Sequence, residues 1–234
     1  MRVRTGTSGF SYPVWAGPFY PGGTKRRDML SFYASRLGSV EINNTFYRMP
    51  KTDLLERWRD AVPEGFRFAL KAPRRITHQQ RLKDAGDSVD YLFRTAEVLG
   101  EQLGPFLFQL PPSLRCDVDR LASFLRGMPD GMRGAFEFRH ASWFDDEVFA
   151  LLADAGASLC IAESGSDHDA PLVATADFGY LRLRREDYDE TALHAWADRI
   201  RRQPWRETYV FFKHEDEGAG PRMAAQFEAL LVEA

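Results

Sequence analysis

Charged and amide side chains recur at the ends of short apolar segments, where they could bind or activate a ligand. This set comprises two acids, three bases and two amides: Glu41, Glu137, Lys71, Arg139, Arg182, Asn43 and Gln109. Side chains alternate across a strand, so each member shares the polar face of its segment. Ions buried together cost free energy unless they pair or bind a ligand. The bases outnumber the acids, which predicts an anionic ligand bound by Lys71, Arg139 and Arg182.

The acids and a neighbouring imidazole are the candidate proton carriers. Glu137 or Glu41 would be the general acid or base, and His140, which directly follows Arg139, is the alternative. Asn43 and Gln109 would contribute further contacts to the substrate. A competing interpretation is a structural ion cluster in which the bases only neutralise the two acids. Either way, we expect these side chains to converge at one end of the fold.

Aromatic residues surround these positions in the sequence. The loop at 9–21 is dense in aromatic and turn residues, and its Tyr12 and Trp15 are predicted ligand contacts because each carries a polar atom. Phe10, Phe19 and Tyr20 are expected to pack beneath this loop instead. Trp143, three residues after His140, completes the predicted substrate-binding set.

Motifs for metal, phosphate-loop or nucleophile chemistry are absent from the sequence. It contains no H-x-x-x-H or C-x-x-C pair, no Walker loop and no G-x-S-x-G elbow. Ligands at strand ends need no fixed spacing, but Lys71 and Arg139 would repel a cation there. The sequence therefore predicts no bound metal and no cofactor.

Three functions remain open on these residues. The first is an enzyme, a hydrolase, lyase or isomerase, acting on an anionic small molecule or a nucleotide-like ligand. The second is a protein that binds or processes nucleic acid, with a backbone tracked by the bases Arg74, Arg75, Arg81 and Lys83. The third is a barrel that binds its ligand without catalysis, since fold alone does not decide function.

Eight short segments rich in β-branched or aromatic residues predict the strands that position these side chains. They are 3–8, 39–47, 67–72, 106–110, 134–138, 158–162, 179–184 and 208–213. Amphipathic segments lie between most of them. Their predicted N-terminal residues are Thr24, Thr52, Asp87, Asp117, Asp145 or Asp146, and Asp189, with Pro221 in the first turn of the last helix.

The alternation of strand and helix predicts a parallel sheet, and eight units predict closure into a (β/α)₈ TIM-type barrel. Residues 164–178 lack helical periodicity, so the helix after the sixth strand should be irregular or missing. An open doubly wound sheet is the alternative, but it usually carries a G-x-G-x-x-G turn that is absent here. Two smaller domains would also fit 234 residues; we expect a single domain over 1–234.

Composition indicates a globular protein without a global attraction to polyanions. The net charge is −3, and 44% of residues are hydrophobic. The two cysteines, Cys116 and Cys160, are too few for a disulfide framework and fit a reducing compartment. The N-terminus lacks an apolar signal region, and no apolar run reaches the length of a membrane span. These features predict a cytoplasmic protein that does not interact with membranes.

Several of these stretches together resemble the domain of unknown function 72 family, the YecE-like proteins. The matching runs are GTSGFSY at 6–12, VEINNTFY at 40–47, FALKAPR at 68–74, FQLPPS at 108–113, EFRH at 137–140, TADF at 175–178 and YLRL at 180–183, with Trp143. The resemblance implies a TIM-type barrel and supplies no reaction. Lys213-His214 and Ala141 depart from the family's pattern, which has an asparagine pair and a proline at these places.

Overall fold

The structure is a computed structural model that describes residues 1–165, 169–185 and 188–232. Its centre is a closed barrel of eight parallel strands in chain order, with β8 paired to β1. The strands are β1 (Arg2–Ser8), β2 (Ser39–Ile42), β3 (Arg67–Lys71), β4 (Leu103–Gln109), β5 (Gly134–Glu137), β6 (Ser158–Glu163), β7 (Phe178–Leu183) and β8 (Glu207–Phe212). The predicted TIM-type barrel is confirmed.

Helices connect consecutive strands around the outside of the barrel. They are α1 (Met29–Ala34), α2 (Thr52–Asp60), α3 (Gly86–Ala96), α4 (Val118–Arg126), α5 (Asp146–Asp154), α6 (Glu190–Arg201) and α7 (Ala219–Val232). The described residues between β6 and β7 contain no helix, as the missing periodicity of 164–178 predicts. No helix within the described ranges is both long and apolar enough to cross a membrane.

The two faces of each strand have the predicted environments. The outward-facing aromatic and aliphatic residues, such as Val40, Phe68 and Phe108, pack against the helices in one large core. The inward-facing residues form a second, smaller core at the barrel axis: Ala69, Leu107, Ala135, Cys160, Phe178, Tyr180, Tyr209 and Phe211. The polar residues at the strand ends belong to this inner face, so the barrel axis leads directly to them.

Strand boundaries differ from the sequence prediction in β2 and β4. β2 ends at Ile42, and Asn44–Phe46 forms a short 3-10 helix instead of extended chain. β4 begins at Leu103, three residues before its predicted start. A Cβ on Gly104 would lie 2.9 Å from the carbonyl oxygen of Phe68, so glycine here permits the close approach of β4 to β3.

Three of the four acidic N-cap predictions are accurate, whereas Asp87 lies inside the first turn of α3, whose N-cap is Ala85. Asp117, Asp145 and Asp189 each accept a hydrogen bond from a backbone N–H in the first turn of α4, α5 and α6. Thr24 does not cap α1, because the helix begins five residues later. The Thr24 hydroxyl donates to the carbonyl of Pro21 instead. A hydroxyl that satisfies a local turn is unavailable to a helix terminus.

Candidate functional site

One buried arginine joins the two acids at the C-terminal ends of the strands. Arg182, on β7, donates from Nη1 to Oε2 of Glu137 at 2.5 Å and from Nη2 to Oε1 of Glu41 at 2.9 Å. Arg182 is 1% exposed, and both carboxylates are fully buried. The two acids come from β2 and β5, so this guanidinium bridges the interior of the barrel. Burial favours the neutral arginine, but both carboxylates raise the pKa of Arg182 well above its ordinary value.

Glu41 has partners on both of its carboxylate oxygens. Besides Arg182, Oε1 accepts a hydrogen bond from Ser8 at 2.6 Å, and Oε2 accepts one from Tyr180 at 2.7 Å. Burial alone would raise the pKa of Glu41, but Arg182 and these two hydroxyls lower it overall. Glu41 is therefore a fixed carboxylate that contributes to the interior of the barrel.

Glu137 accepts hydrogen bonds on one carboxylate oxygen, whereas Glu41 accepts them on both. Gln109 donates to its Oε2 at 2.9 Å, and Nη2 of Arg184 lies 3.4 Å from Oε1. Oε1 is buried and accepts no hydrogen bond from the described residues. Burial would raise the pKa of Glu137, but Arg182, Arg184 and the bond from Gln109 bring it to about 2. One oxygen of this carboxylate thus retains unused hydrogen-bonding capacity.

Above this cluster lies an open cavity of about 340 Å³. Its walls come from the ends of most of the strands and from the loops that follow: Tyr12, Asn43, Phe46, Tyr47, Lys71, Gln109, Arg139, Arg182, Arg184, Lys213 and Glu215. A second cavity of about 460 Å³ adjoins it and shares Arg139, Arg184 and Lys213. Five of the residues that line the first cavity are cationic, and Glu215 is the single acid among its described lining residues.

Three of these cations lack an acidic partner. Lys71, Arg139 and Lys213 have no carboxylate oxygen of a described residue within 4 Å. Nζ of Lys71 lies over the ring of Phe46, 4.4 Å from its centroid. Partial burial and the charge of Arg182 lower the pKa of Lys71 to about 8, although Glu41 and Glu137 act in the opposite direction. The cavity is thus positively charged even though the cluster beneath it is paired.

The structure brings most of the predicted set together. Lys71, Gln109, Arg139 and Arg182 line the first cavity, while Glu41 lies in the cluster beneath it. Glu137 belongs to the same cluster and lines the second cavity. In the competing interpretation, Lys71, Arg139 and Arg182 neutralise the two acids. Among the described residues, Arg182 is the one of these three that pairs with them, and the second cation near Glu137 is Arg184.

Tyr12 and Asn43 also line this cavity. Tyr12 follows a turn at Gly9, whose φ of 96° favours glycine, and a Cβ on Gly9 would lie 2.6 Å from the Tyr12 hydroxyl. That hydroxyl donates to the carbonyl of Ser8 at 2.6 Å, which fixes the ring at the edge of the cavity. Burial and the nearby carboxylates of Glu215 and Glu41 raise the pKa of Tyr12 to about 12.

Both predicted tryptophan contacts require correction. Trp15 is fully buried, and its indole N–H donates to the carbonyl of Glu215. Trp143 is also fully buried; it stacks on Phe138 and donates to the carbonyl of Leu114. The polar atom that suggested ligand contact is satisfied by the backbone in each case, so both residues are core. Phe10, expected to be buried, is only partly so and lines a separate cavity beside Tyr12.

His140 lies outside both strand-end cavities. Its Nδ1 accepts a hydrogen bond from the backbone N–H of Ser142 at 3.1 Å and so caps the short helix Ala141–Trp143. The chain leaves β5 at Glu137, so adjacency in sequence to Arg139 does not bring the imidazole to the same place. The structure therefore places this imidazole at a helix N-terminus and does not bring it together with the other predicted site residues.

Several residues of the site are missing from the predicted set, and four of them contact its members directly. Ser8 and Tyr180 bind Glu41, Arg184 approaches Glu137, and Phe46 lies beneath Lys71. The alternation of β7 carries a signal for two of them, because Tyr180 and Arg184 share the face of Arg182. No group of three or more His, Cys, Asp or Glu residues in the described ranges is arranged to hold a metal ion.

The model of the family described as "Protein of unknown function DUF72" matches residues 4–234 of this chain. The chain belongs to the DUF72 family. YecE of Escherichia coli K12 is 32% identical over 116 residues, which are 49% of this chain and 43% of that protein. YunF of Bacillus subtilis 168 is 32% identical over 139 residues, 56% of this chain and 49% of that protein. The match thus spans less than half the length of each of these relatives.

Solved structures of DUF72 family proteins are similar over the whole chain. One from Thermotoga maritima MSB8 is 27% identical with a TM-score of 0.87 and covers 99% of this chain and 100% of that one. One from Enterococcus faecalis V583 is 21% identical with a TM-score of 0.80, over 98% and 95% of the two chains. A sugar phosphate isomerase/epimerase from Parabacteroides distasonis, 10% identical with a TM-score of 0.55 over 100% and 97%, shares the fold.

Proposed function

We propose that this DUF72 protein is an enzyme that acts on a small anionic substrate, bearing a phosphate or a carboxylate, at the C-terminal ends of its strands. The observation that carries the proposal is the set of cations without acidic partners, Lys71, Arg139 and Lys213, around one cavity. Like charges held together destabilise a protein unless an anion neutralises them. A substrate anion supplies that neutralisation.

The ion cluster below supports this proposal by accounting for the other charges. Arg182 already binds Glu41 and Glu137, so neither acid is available to the cations above. Arg184 approaches Glu137 with one nitrogen, while its buried Nε has no hydrogen-bond partner among the described residues. The cluster is thus a rigid floor, and the donors above it are free to bind a ligand.

The dimensions of the site favour a small molecule. Cavities that bind metabolites typically measure about 300–1,000 Å³, and this one, at about 340 Å³, is at the lower end. Arg139 is exposed and presents its guanidinium where a phosphate or carboxylate can accept two parallel hydrogen bonds. The substrate class that fits is therefore a compact phosphorylated sugar or a sugar acid rather than a polymer.

Lys71 is the titratable group best suited to proton transfer in this cavity. A pKa of about 8 leaves it partly deprotonated near neutral pH, as an efficient general acid or base requires. Glu137 is the second candidate for proton transfer. Its Oε1 accepts no hydrogen bond from the described residues, but its pKa of about 2 makes it a weak base. Both are compatible with lyase, isomerase and hydrolase reactions.

Calorimetric titration with inorganic phosphate tests the binding half of the proposal. We expect the wild-type protein to bind phosphate and the Arg139→Met variant to bind it at least about tenfold more weakly, a loss of about 1.4 kcal/mol. Arg126→Met, which removes an exposed arginine from α4, is the matched control and should bind like the wild type. Equal affinities of all three proteins would exclude Arg139 from an anion site.

Turnover separates an enzyme from a barrel that only binds. Incubation with phosphorylated sugars and sugar acids, followed by proton and phosphorus NMR, should show conversion of at least one compound. Conversion should be lost in Lys71→Met and kept in Arg126→Met. Tight binding of these compounds without any conversion would favour the binding protein.

A second candidate function rests on exposed bases beside the cavity. Arg74, Arg75, Arg81 and Lys83 are all exposed on the segment between β3 and α3. The ring centroid of His78 in this segment lies 5.0 Å from that of Phe46, which lines the cavity, so the segment borders the cavity. Single-stranded DNA binding, measured by anisotropy, should weaken steeply with salt if these bases track a backbone. A flat salt response would eliminate this candidate.

A further inference from the structure

We propose that Lys71 is a nucleophile that forms a Schiff base with the carbonyl carbon of the substrate. This inference rests on the proposed function and narrows it, because the substrate must then be an aldehyde or ketone that also bears a phosphate or carboxylate. Its geometric basis is an amine on the wall of the cationic cavity, over an aromatic ring and without a carboxylate partner among the described residues.

Lysine is much rarer than arginine in this chain. The sequence contains 26 arginines and five lysines: Lys25, Lys51, Lys71, Lys83 and Lys213. Four of the five are exposed, and Lys71 alone is partly buried. Arginine supplies three of the other four cations that line the cavity, Arg139, Arg182 and Arg184, and it would serve equally for charge at this position. An arginine stays protonated and cannot attack a carbonyl, whereas a lysine that loses its proton can.

The position of the side chain is fixed from its backbone outward. Lys71 is the last residue of β3, and the hydroxyl of Thr45 donates to its carbonyl oxygen at 2.6 Å. The next residue, Ala72, donates its N–H to the carbonyl of Leu107 on β4. The amine then lies over Phe46. A catalytic group on a strand end anchored in this way can be held in a productive geometry.

The surroundings of this amine favour its neutral form. Partial burial disfavours the ammonium ion, and the fixed charge of Arg182 repels it, with a further contribution from Lys213. Glu41 and Glu137 would stabilise the ammonium ion, but both are bound to Arg182 in the floor. Desolvation together with a neighbouring cation is a general way of activating a lysine for attack on a carbonyl. The pKa of about 8 is the result.

The proposed step is balanced without an external oxidant or reductant. The lone pair of the neutral Nζ attacks the carbonyl carbon and forms a C–N bond, while the π electrons of the C=O bond move to oxygen, which takes up a proton. The nitrogen then gives up one proton, and a second proton adds to the same oxygen. The C–O bond breaks and releases water while the nitrogen lone pair forms the C=N bond, which leaves a protonated imine. The imine withdraws electrons from the adjacent carbon, so a bond there can break, as a lyase or isomerase requires. Arg139 and Lys213 would bind the anionic group during these steps.

Reductive trapping tests the inference. The protein is incubated with dihydroxyacetone phosphate, glyceraldehyde 3-phosphate or pyruvate in separate reactions, with and without sodium borohydride, which converts an imine to a stable secondary amine. Intact mass and peptide mapping then report the adduct. We expect one adduct per chain, on Lys71, with at least one of the three probes, and inorganic phosphate should compete with it.

Two conservative variants serve as controls. Lys71→Arg keeps the positive charge but removes the nucleophile, so it should retain phosphate binding within about threefold and lose the adduct. Lys51→Arg removes an exposed lysine before α2 and should be trapped like the wild type. An adduct that persists in Lys71→Arg, or that is spread over the exposed lysines, would overturn the inference.

A probe of nucleophilicity covers the case in which none of the three carbonyl compounds is trapped. Methylation by formaldehyde and cyanoborohydride at pH 7 depends on the fraction of neutral amine. Lys71 should then react at least about tenfold faster than Lys51, since a pKa of about 8 gives more neutral amine than an ordinary lysine has. Equal methylation rates of Lys71 and Lys51, in a protein that still binds phosphate, would refute the Schiff base and leave the anion site standing. Absence of phosphate binding would instead refute the proposed function.

Discussion

The two ends of the barrel both contain partly or fully buried ion clusters, but their cations are satisfied to different extents. At the N-terminal end, Glu207 on β8 accepts hydrogen bonds from Arg4 at 2.5 Å and from Arg133 at 2.9 Å. Arg4 also donates to the carbonyl of Gly65, and Arg133 lies 4.2 Å from the ring centroid of Phe178. Arg4 and Arg133 thus each have a carboxylate and a second partner within the fold. Arg67, at the same end, has no carboxylate of a described residue within 4 Å and donates to the backbone carbonyls of Glu64 and Phe66 instead.

At the C-terminal end, the charges of the floor formed by Arg182, Glu41 and Glu137 are equally well paired, but the cations above it are not. Arg182 binds two carboxylates, whereas Lys71, Arg139 and Lys213 have none within 4 Å among the described residues. A cluster in which every charge is paired stabilises its end of the barrel. A cluster with unpaired cations can bind an anion. The comparison thus distinguishes a structural ion cluster from a binding site by its unpaired members, and not by the number of its charges.

The largest effect should come from removing the bridging arginine. Arg182→Met leaves Glu41 and Glu137 buried near one another without their shared cation. Breaking a buried pair typically costs about 3–5 kcal/mol, so we expect the free energy of unfolding, measured with urea, to fall by about that amount. A loss under 1 kcal/mol would mean that the floor does not hold this end together.

A triple variant controls for loss of packing. Arg182→Met combined with Glu41→Gln and Glu137→Gln removes the uncompensated charges along with the cation. It should recover a substantial part of the stability that the single variant loses, because neutral side chains of similar size carry no penalty for buried charge. Failure to recover would assign the loss to packing of the long side chain.

Low pH should destabilise the ion clusters at both ends of the barrel. Variants of Glu137 and Glu207 separate the contributions of the two ends to the free energy of unfolding. The pKa of Glu137 falls from 4.5 to about 2 despite burial, owing first to Arg182; that of Glu207 falls from 4.5 to about 2 despite burial, owing first to Arg4. Depressed values stabilise the folded protein above pH about 4.5, and this stability is lost as the pH falls towards about 2.

Urea unfolding from pH 5 to pH 2.5 measures this loss. In the acid range, Glu137→Gln and Glu207→Gln should each reduce the slope of unfolding free energy against pH by up to about 1.4 kcal/mol per pH unit. The reduction should be larger for Glu137, which is fully buried, than for Glu207, whose side chain is 17% exposed. Variants with the slope of the wild type would show that these carboxylates titrate normally.

The barrel and the floor of the site could be anticipated from sequence because both follow from alternation along strands. Phe68 and Lys71, or Phe136 and Glu137, lie on opposite faces of their strands, and the polar face had to point inward. The paired state of Arg182 could not be anticipated, because the pattern places Lys71, Arg139 and Arg182 at one end without saying which of them reaches an acid.

Residues beyond the strand ends were the least predictable. Trp143 and His140 follow β5 so closely that they were expected in the site, yet the chain turns after Glu137 and directs Trp143 into the core. Trp15 was predicted to contact the ligand because its indole carries a polar N–H. That N–H donates instead to the backbone carbonyl of Glu215, 200 residues further along the chain. Contacts of this kind depend on long-range closure of the barrel, and no local pattern encodes them.

The smallest effect on stability, and the sharpest contrast with Arg182, should come from Arg139. Arg139 is exposed and has no carboxylate within 4 Å among the described residues, so Arg139→Met breaks no pair. It also relieves repulsion with Lys71 and Lys213 at the same cavity. We expect its melting temperature without added anion to equal or slightly exceed that of the wild type. Phosphate or sulfate should raise the melting temperature of the wild type by mass action and leave the variant almost unchanged. A variant that melts far lower without anion, together with a wild type indifferent to anions, would make the C-terminal cluster structural like its N-terminal counterpart.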